Sequence, residues 1–300
     1  MEQATPVESA AHRERSGPRP VRAALSPSRA GDFMQCPLLY RFRVVDRLPE
    51  EPSAAAARGT LVHAVLERLF DMPAPERTVE AAVALLEPQW AALVEQEPEL
   101  ATLIGDDATD GQTWFRDAAE LVRRWFTLED PTRLEPAERE LYVEADVDGL
   151  TLRGYIDRLD EAPGNLLRVV DYKTGRSPSE LFEAKALFQM KFYALVLWRT
   201  RGVVPKMLQL VYLGNSEIVR YTPEVADLEA TERKVKALWQ AIERAATTGD
   251  WRPHRSRLCE WCSHQALCPE FGGTPPQLPP DALGLALDPA RAGAAASTDE

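Results

Sequence analysis

GYIDRLDEAPGNLLRVVDYKTG, residues 154–175, is the stretch that organises the rest of the chain. At its centre Pro163-Gly164-Asn165 is a turn signal. The segment before it, from 150 to about 160, reads as a strand carrying Asp157. The segment after it, 166 to 173, is an apolar run that closes on Asp171-Tyr172-Lys173. Residues two apart on a strand leave the same face, so Asp171 and Lys173 project together, and a short turn lets Asp157 reach the same point. Two carboxylates from neighbouring strands make a hard oxygen site suited to Mg2+ or Mn2+. A lysine beside them can hold a phosphate or position a water. Taken alone, D-x-K equally describes a solvated strand end with a surface ion pair. The chain has few lysines among its 35 basic residues, and a purely solvated position would more often carry arginine.

Working outward, Leu141, Val143, Ala145 and Val147 alternate with polar residues, the period of a half-buried strand. Asp148-Gly149 then predicts a hairpin into the Asp157 strand. Downstream, a long helix is expected over about 178–201, strands near 207–213 and 217–221, and a last helix over about 223–248. Upstream, Ser26-Pro27-Ser28 is a helix start leading through about Arg43, and the Pro- and Ala-rich stretch 49–57 reads as a loop. Gly59-Thr60 opens a helix with Leu61, Val65, Leu66 and Leu69 at helical spacing, on which His63 and Glu67 share a face. Helices are also expected over 78–96 and 112–128, separated by an acidic loop around 106–110. Helices around a central mixed sheet define an α/β domain.

Four cysteines frame this core: Cys36 alone near the start, and Cys259, Cys262 and Cys268 as C-x2-C-x5-C near the end. Such clustering fits metal ligation better than disulfides in a reducing compartment. Four thiolates suit tetrahedral zinc, for which His254 or His264 could replace Cys36, and equally a [4Fe-4S] cluster. Convergence of the cysteines would also bring Arg41, Arg43 and Arg47 beside Arg252, Arg255 and Arg257 as a basic patch. The net charge of -12 argues against indiscriminate nucleic-acid binding through a global positive field. No apolar run approaches a membrane span and the first 20 residues lack a signal-peptide core, so the expectation is a cytoplasmic protein with no membrane partner. No Walker-type phosphate loop is present.

Gly59-Thr60-Leu61-Val62-His63, Gly154-Tyr155-Ile156-Asp157-Arg158, Val170-Asp171-Tyr172-Lys173-Thr174-Gly175 and Gln189-x3-Tyr193 occur in that order. This ordered set resembles the RecB-like, AddB-type branch of the PD-(D/E)XK nucleases, across roughly residues 25–272. The resemblance implies a restriction-endonuclease-like α/β core with a mixed central sheet, flanking helices and an iron–sulfur staple joining the N- and C-terminal segments. It implies His63, Asp157, Asp171 and the Tyr172 backbone carbonyl as Mg2+ or Mn2+ ligands, and Lys173 as the catalytic lysine beside Asp171 and Asp157. Gln189 and Tyr193 would steer substrate or support the site. It selects [4Fe-4S] over zinc for Cys36, Cys259, Cys262 and Cys268. The expected activity is a metal-dependent exonuclease on single-stranded DNA or DNA ends in repair or recombination, acting alone or with a separate helicase. A non-catalytic DNA-end-binding module and a zinc-stabilised interaction protein are the alternatives. The expected layout is a disordered tail at 1–24 and one nuclease domain at 25–272, followed by a disordered acidic tail at 273–300. Within the domain a helical insertion covers about 72–130 and the catalytic core about 138–222, with the cysteine cluster at 259–268.

Overall fold

A computed structural model describes residues 23–104, 108–177 and 180–287. The chain enters through a two-residue strand, β1 (Ala24–Leu25), and helix α1 (Pro27–Gln35). The Ser26 hydroxyl accepts from the Arg29 amide and Pro27 supplies the fixed φ of a first helical turn. Extended backbone at Cys36 breaks the helix before α2 (Pro37–Tyr40) and a wide turn at Arg41–Val45. Helix α3 (Ala54–Leu69) starts earlier than expected, because the Ser53 hydroxyl caps the Ala56 amide and recruits part of the expected loop. Then come α4 (Val79–Ala84), α5 (Leu86–Gln96) and α6 (Ala108–Leu128).

The sheet follows with β2 (Glu138–Val147), β3 (Leu150–Ala162) and β4 (Leu166–Lys173). Asp148 and Gly149 both have positive φ, as the expected tight hairpin requires. Helix α7 (Glu180–Arg201) crosses over to β5 (Met207–Tyr212), which lies parallel to β4, and β6 (Glu217–Tyr221) closes the edge. Among the described residues the sheet order is β1-β3-β4-β5-β6, with β2 antiparallel to β3. Helix α8 (Val225–Thr248) and a short α9 (Ala282–Leu287) complete the chain.

Helices pack on both faces of the sheet at β4 and β5, whereas β2 leaves Tyr142, Glu144 and Asp146 exposed. On one face Leu152, Ile156, Leu159, Val169 and Leu208 pack with α1, α7 and α8. On the other, Val170, Tyr172 and Val211 pack with α3 and α6. Alternation along β4 therefore sends Asp171 and Lys173 toward α7 and Tyr172 toward α3. On β3 the alternation slips: Ile156 and Leu159 both face the α7 side, although they are three apart. The slip falls at Asp157 and Arg158, opposite Glu140, whose φ of 43° is unusual for a strand residue.

The segment 273–287, expected to be disordered, packs instead through 287. Ala282 and Ala286 are buried, the Tyr40 hydroxyl donates to the Ala286 carbonyl, and the Arg41 guanidinium donates to the Pro276 carbonyl. Of the expected tails, residues 1–22 and 288–300 lie outside the described residues, whereas Ala24, expected in the tail at 1–24, is buried in β1. No described helix is long and apolar enough to cross a membrane.

Candidate active site

The C-terminal end of β4 is where α3, β2, β3 and α7 meet. His63 comes from α3: its Nε2 lies 3.0 Å from the Tyr172 carbonyl oxygen and its Nδ1 3.4 Å from Asp157 Oδ2. Asp157 Oδ2 also accepts the Tyr172 amide at 2.7 Å. Across the strand Lys173 Nζ lies 2.7 Å from Asp171 Oδ2. That oxygen receives no aligned hydrogen bond, so the contact is one of charge. Gln189 joins the pair by accepting from Lys173 at 3.0 Å and donating to Asp171 Oδ1 at 2.9 Å. It also contacts the Tyr193 hydroxyl at 3.2 Å. His63, Asp157, Asp171, Tyr172, Lys173, Gln189 and Tyr193, drawn from all four sequence blocks, thus meet at one end of the sheet.

Two glycines near the site, Gly154 in the second motif and Gly214 after β5, sit where a side chain would clash. A Cβ on Gly154 would stand 2.7 Å from the Tyr193 ring, so the glycine lets the α7 tyrosine seat against β3 and steady Gln189. A Cβ on Gly214 would stand 2.5 Å from the Gly175 carbonyl carbon. That close backbone approach pins the loop after Lys173 to the β5–β6 turn, through a Gly214 amide to Gly175 carbonyl bond of 3.0 Å.

Sequence reasoning missed Glu140. Among the described residues, the one trio of His, Cys, Asp or Glu whose ligand atoms all lie within 4.8 Å of one another is His63, Glu140 and Asp157. Asp171 stands outside that trio, tied to Lys173 and Gln189. Glu140 sits on an outward position of an alternating strand and looks solvated in sequence. Its unusual φ accompanies its place at the site, and that signal is not written in residue type.

The electrostatics are those of a site short of positive charge. Burial, then repulsion from Asp171, holds the Asp157 carboxyl well above the usual range. Burial, then Glu67 and Asp171, pushes Glu140 up to about 7. Burial holds the His63 imidazole below its ordinary value, so near neutral pH the ring is uncharged. A neutral imidazole with carboxylates fits Mg2+ or Mn2+, and a dication would offset the repulsion.

The other face of the same strands holds a compensated cluster. Arg158, 1% exposed in its side chain, pairs with Glu129 at 2.7 Å and Asp160 at 3.0 Å and donates to the Tyr172 hydroxyl. Trp125 and Gln209 also donate to Glu129, at 2.9 and 3.0 Å. Burial opposes the Arg158 charge, but Tyr172 and Glu129 outweigh it and raise its pKa.

Cys36, Cys259, Cys262 and Cys268 line one small cavity between α1 and the C-terminal loops. The His254 amide points at Cys36 Sγ (3.4 Å) and the Ser256 amide at Cys259 Sγ (3.3 Å), as N–H donors to thiolates do. Burial raises the Cys268 thiol, and the other three sulfurs act on it in the same direction. No three of these sulfurs lie within 4.8 Å of one another. His264 is engaged elsewhere, 2.8 Å from Glu50 and edge-on to Phe42. His254 Nδ1 is 2.9 Å from the Gln35 carbonyl.

The expected basic patch is not assembled as such. Arg41 is 7% exposed and held by Asp46 and Pro276, which removes it from any DNA contact. Arg43 pairs with Asp32 and Glu50, so its charge is offset. Arg252 pairs with Asp250. Arg255 lies over the Phe271 ring, and it and Arg257 stay exposed.

A family model of the PD-(D/E)XK nuclease superfamily matches residues 24–269. The Gene 69 protein of Mycobacterium phage D29 is 28% identical over 271 residues, covering 82% of this chain and 96% of that protein. The Gene 69 protein of Mycobacterium phage L5 is 24% identical, with the same coverage. The crystal structure of a "putative exonuclease" from Eubacterium rectale superposes with a TM-score of 0.53 at 16% identity. It covers 81% of this chain and 88% of its own, a likeness of fold. The chain belongs to the PD-(D/E)XK nuclease superfamily.

Proposed function

We propose that this superfamily member is a divalent-metal-dependent DNA exonuclease of the RecB-like, AddB-type branch, acting on single strands or DNA ends in repair or recombination. The observation that carries the reading is the meeting of His63, Asp157, Asp171, Lys173 and Gln189 at the end of β4, with Glu140 beside them. A bound Mg2+ or Mn2+ supplies Lewis acidity, acidifying water and offsetting charge that builds on the phosphate. His63, Asp157, Asp171 and the Tyr172 carbonyl would hold it, with Glu140 as a further oxygen donor. Lys173, kept in place by Gln189, directs its ammonium at the scissile phosphate and steadies the added negative charge as water attacks phosphorus and the P–O ester bond breaks. Tyr193 supports Gln189 in turn.

The four cysteines are assigned to a structural [4Fe-4S] cluster in preference to Zn2+ on the family resemblance, and their meeting at one cavity with N–H donors to two of the sulfurs fits a thiolate-held centre. It would join Cys36 to the C-terminal triplet and restrain a very long loop. Residues 25–272 form the nuclease domain. With no helicase motif of its own, the chain acts alone or serves a separate helicase.

End-labelled single-stranded and duplex DNA incubated with Mg2+ or Mn2+ tests the reading. Cleavage should require the metal, and Asp171→Ala or Lys173→Ala should lower the rate by about three orders of magnitude or more with the fold retained. Metal-dependent cleavage that survives in Asp171→Ala would refute it. Protein purified without oxygen should contain iron and sulfide, and Cys36→Ala should lose them as fully as Cys262→Ala. Stoichiometric zinc in colourless protein would overturn the cluster assignment.

A further inference from the structure

Two exposed tyrosines stand one pleat from the carboxylate site. Tyr142 and Tyr155, 46% and 57% exposed, are direct cross-strand partners of β2 and β3 with ring centroids 5.3 Å apart. The alternation that sends Val143 and Ile156 into the core sends these rings to the opposite face. On β2 the remaining positions of that face are acidic, Glu140, Glu144 and Asp146, so the tyrosine breaks a charged pattern. A cross-strand aromatic pair steadies a hairpin wherever it lies, yet about half of each ring here is left open. Both rings line a cleft of about 770 Å³ whose walls include Asp157, Lys185 and Gln189. A second cleft of about 930 Å³, lined by His63 and Lys173, shares Lys185 and Gln189, so the two adjoin at the site.

We propose that the Tyr142–Tyr155 pair is a stacking platform for an unpaired base of single-stranded DNA, and that it sets a preference for single strands over duplex. The proposal rests on the nuclease reading, since it places the scissile phosphate at Asp157 and Lys173. Tyr155 precedes Asp157 by two residues, about 7 Å along a strand, which is within the reach of one nucleotide. An aromatic face accepts any base, but only a base without a stacked duplex neighbour can offer its own face. The Tyr142 hydroxyl donates to Glu144, which fixes that ring. Across the cleft the Lys185 ammonium is bonded to the neutral Gln35 amide oxygen at 3.2 Å and stands ready for a backbone phosphate.

The test uses the full chain with Ca2+ in place of Mg2+, a labelled 12-nucleotide single strand and a blunt duplex of the same sequence. A second single strand carries 2-aminopurine beside the scissile position. Tyr155→Ala should weaken single-strand binding by roughly 5- to 150-fold, as loss of one stacked base does, and abolish 2-aminopurine quenching. Duplex affinity should stay unchanged, and Tyr155→Phe should bind within about twofold of wild type because it keeps the ring face. Tyr155→Leu retains apolar packing without the ring face: it should keep the unfolding temperature and lose the quench. The platform is refuted by equal weakening on duplex and single strand, by no weakening at all, or by Phe losing as much as Ala. Binding and quenching by a protein that cuts no DNA would leave the platform standing and remove the nuclease reading. Cleavage without quenching would do the reverse.

Discussion

Asp157 and Arg158 are adjacent in sequence, and around them β3 carries two polar clusters of opposite design, the rear one buried and the front one partly open. Behind the sheet, Arg158 faces Glu129, Asp160 and the Tyr172 hydroxyl, and Glu129 collects further donors from Trp125 and Gln209. In front, Asp157, Glu140 and Asp171 share one lysine and an uncharged histidine. Tyr172 belongs to both: its hydroxyl takes the arginine while its backbone amide and carbonyl meet Asp157 and His63. The charge-balanced cluster holds the backbone on which the unbalanced one is mounted. Excess charge sits where the proposed cation and phosphate would bind, a cost that rigid surroundings make tolerable.

The largest expected break of this comparison is Arg158→Met. It strands Glu129 in the core, and removal of one partner from a buried pair costs about 3–5 kcal/mol. Urea unfolding should show that loss, and adding Glu129→Gln should recover a substantial part of it. A loss below about 1 kcal/mol, the scale of a surface pair, would mean the rear cluster contributes little to stability.

In front the sign reverses. Asp157→Asn keeps an oxygen for the Tyr172 amide but removes a repelled charge. Protein stripped with EDTA should therefore unfold at a higher temperature in this variant, by on the order of 1 kcal/mol at neutral pH after solvent screening. It should also lose the stabilisation that Mn2+ gives the wild type. A variant less stable than wild type without metal would show that Asp157 supports the fold more than it strains it.

The pH profile separates the two clusters within one protein. Asp157 and Glu140 have raised pKa values, so their destabilisation is fully present above the folded values and disappears on acidification toward the ordinary carboxylate range. Glu129 is held low, the hydrogen bonds and charge of Arg158 outweighing its burial, so its contribution is present above its ordinary value and lost as pH falls through the lower folded one. Metal-stripped protein should gain stability from about pH 7.5 to 5 and lose it below about 4. Saturating Mn2+ at pH 7.5 should remove most of the first slope. A monotonic fall from neutral pH would contradict the unbalanced front site.

Much of this arrangement was legible in residue order. Apolar alternation, the Asp148-Gly149 turn and the closing Asp171-Tyr172-Lys173 placed the strands and three of the site residues. Glu140 was not legible, because its distinguishing feature is a backbone conformation in an otherwise regular strand. The burial of Arg41 and the pairing of Arg43 were not legible, because positive charge is visible in sequence but its neutralisation is not. Asp32 and Glu50 reach Arg43 from segments whose spacing gives no sign of contact. The 273–287 segment was misjudged through composition: small and proline residues resemble a disordered tail, yet Ala282 and Ala286 fit against the core beside Tyr40 precisely because they are small. The start of α3 was hidden by a proline-bordered alanine run whose cap, Ser53, is one residue.

Mn2+ binding, followed by its electron paramagnetic resonance signal during titration into metal-stripped protein, tests most directly that the front cluster is a divalent-ion site. Wild-type protein should bind the ion in stoichiometric amount, Arg158→Lys should bind it equally while folded, and Asp157→Asn should lose that binding. Binding that persists undiminished in Asp157→Asn, or no binding by wild type, would contradict the account.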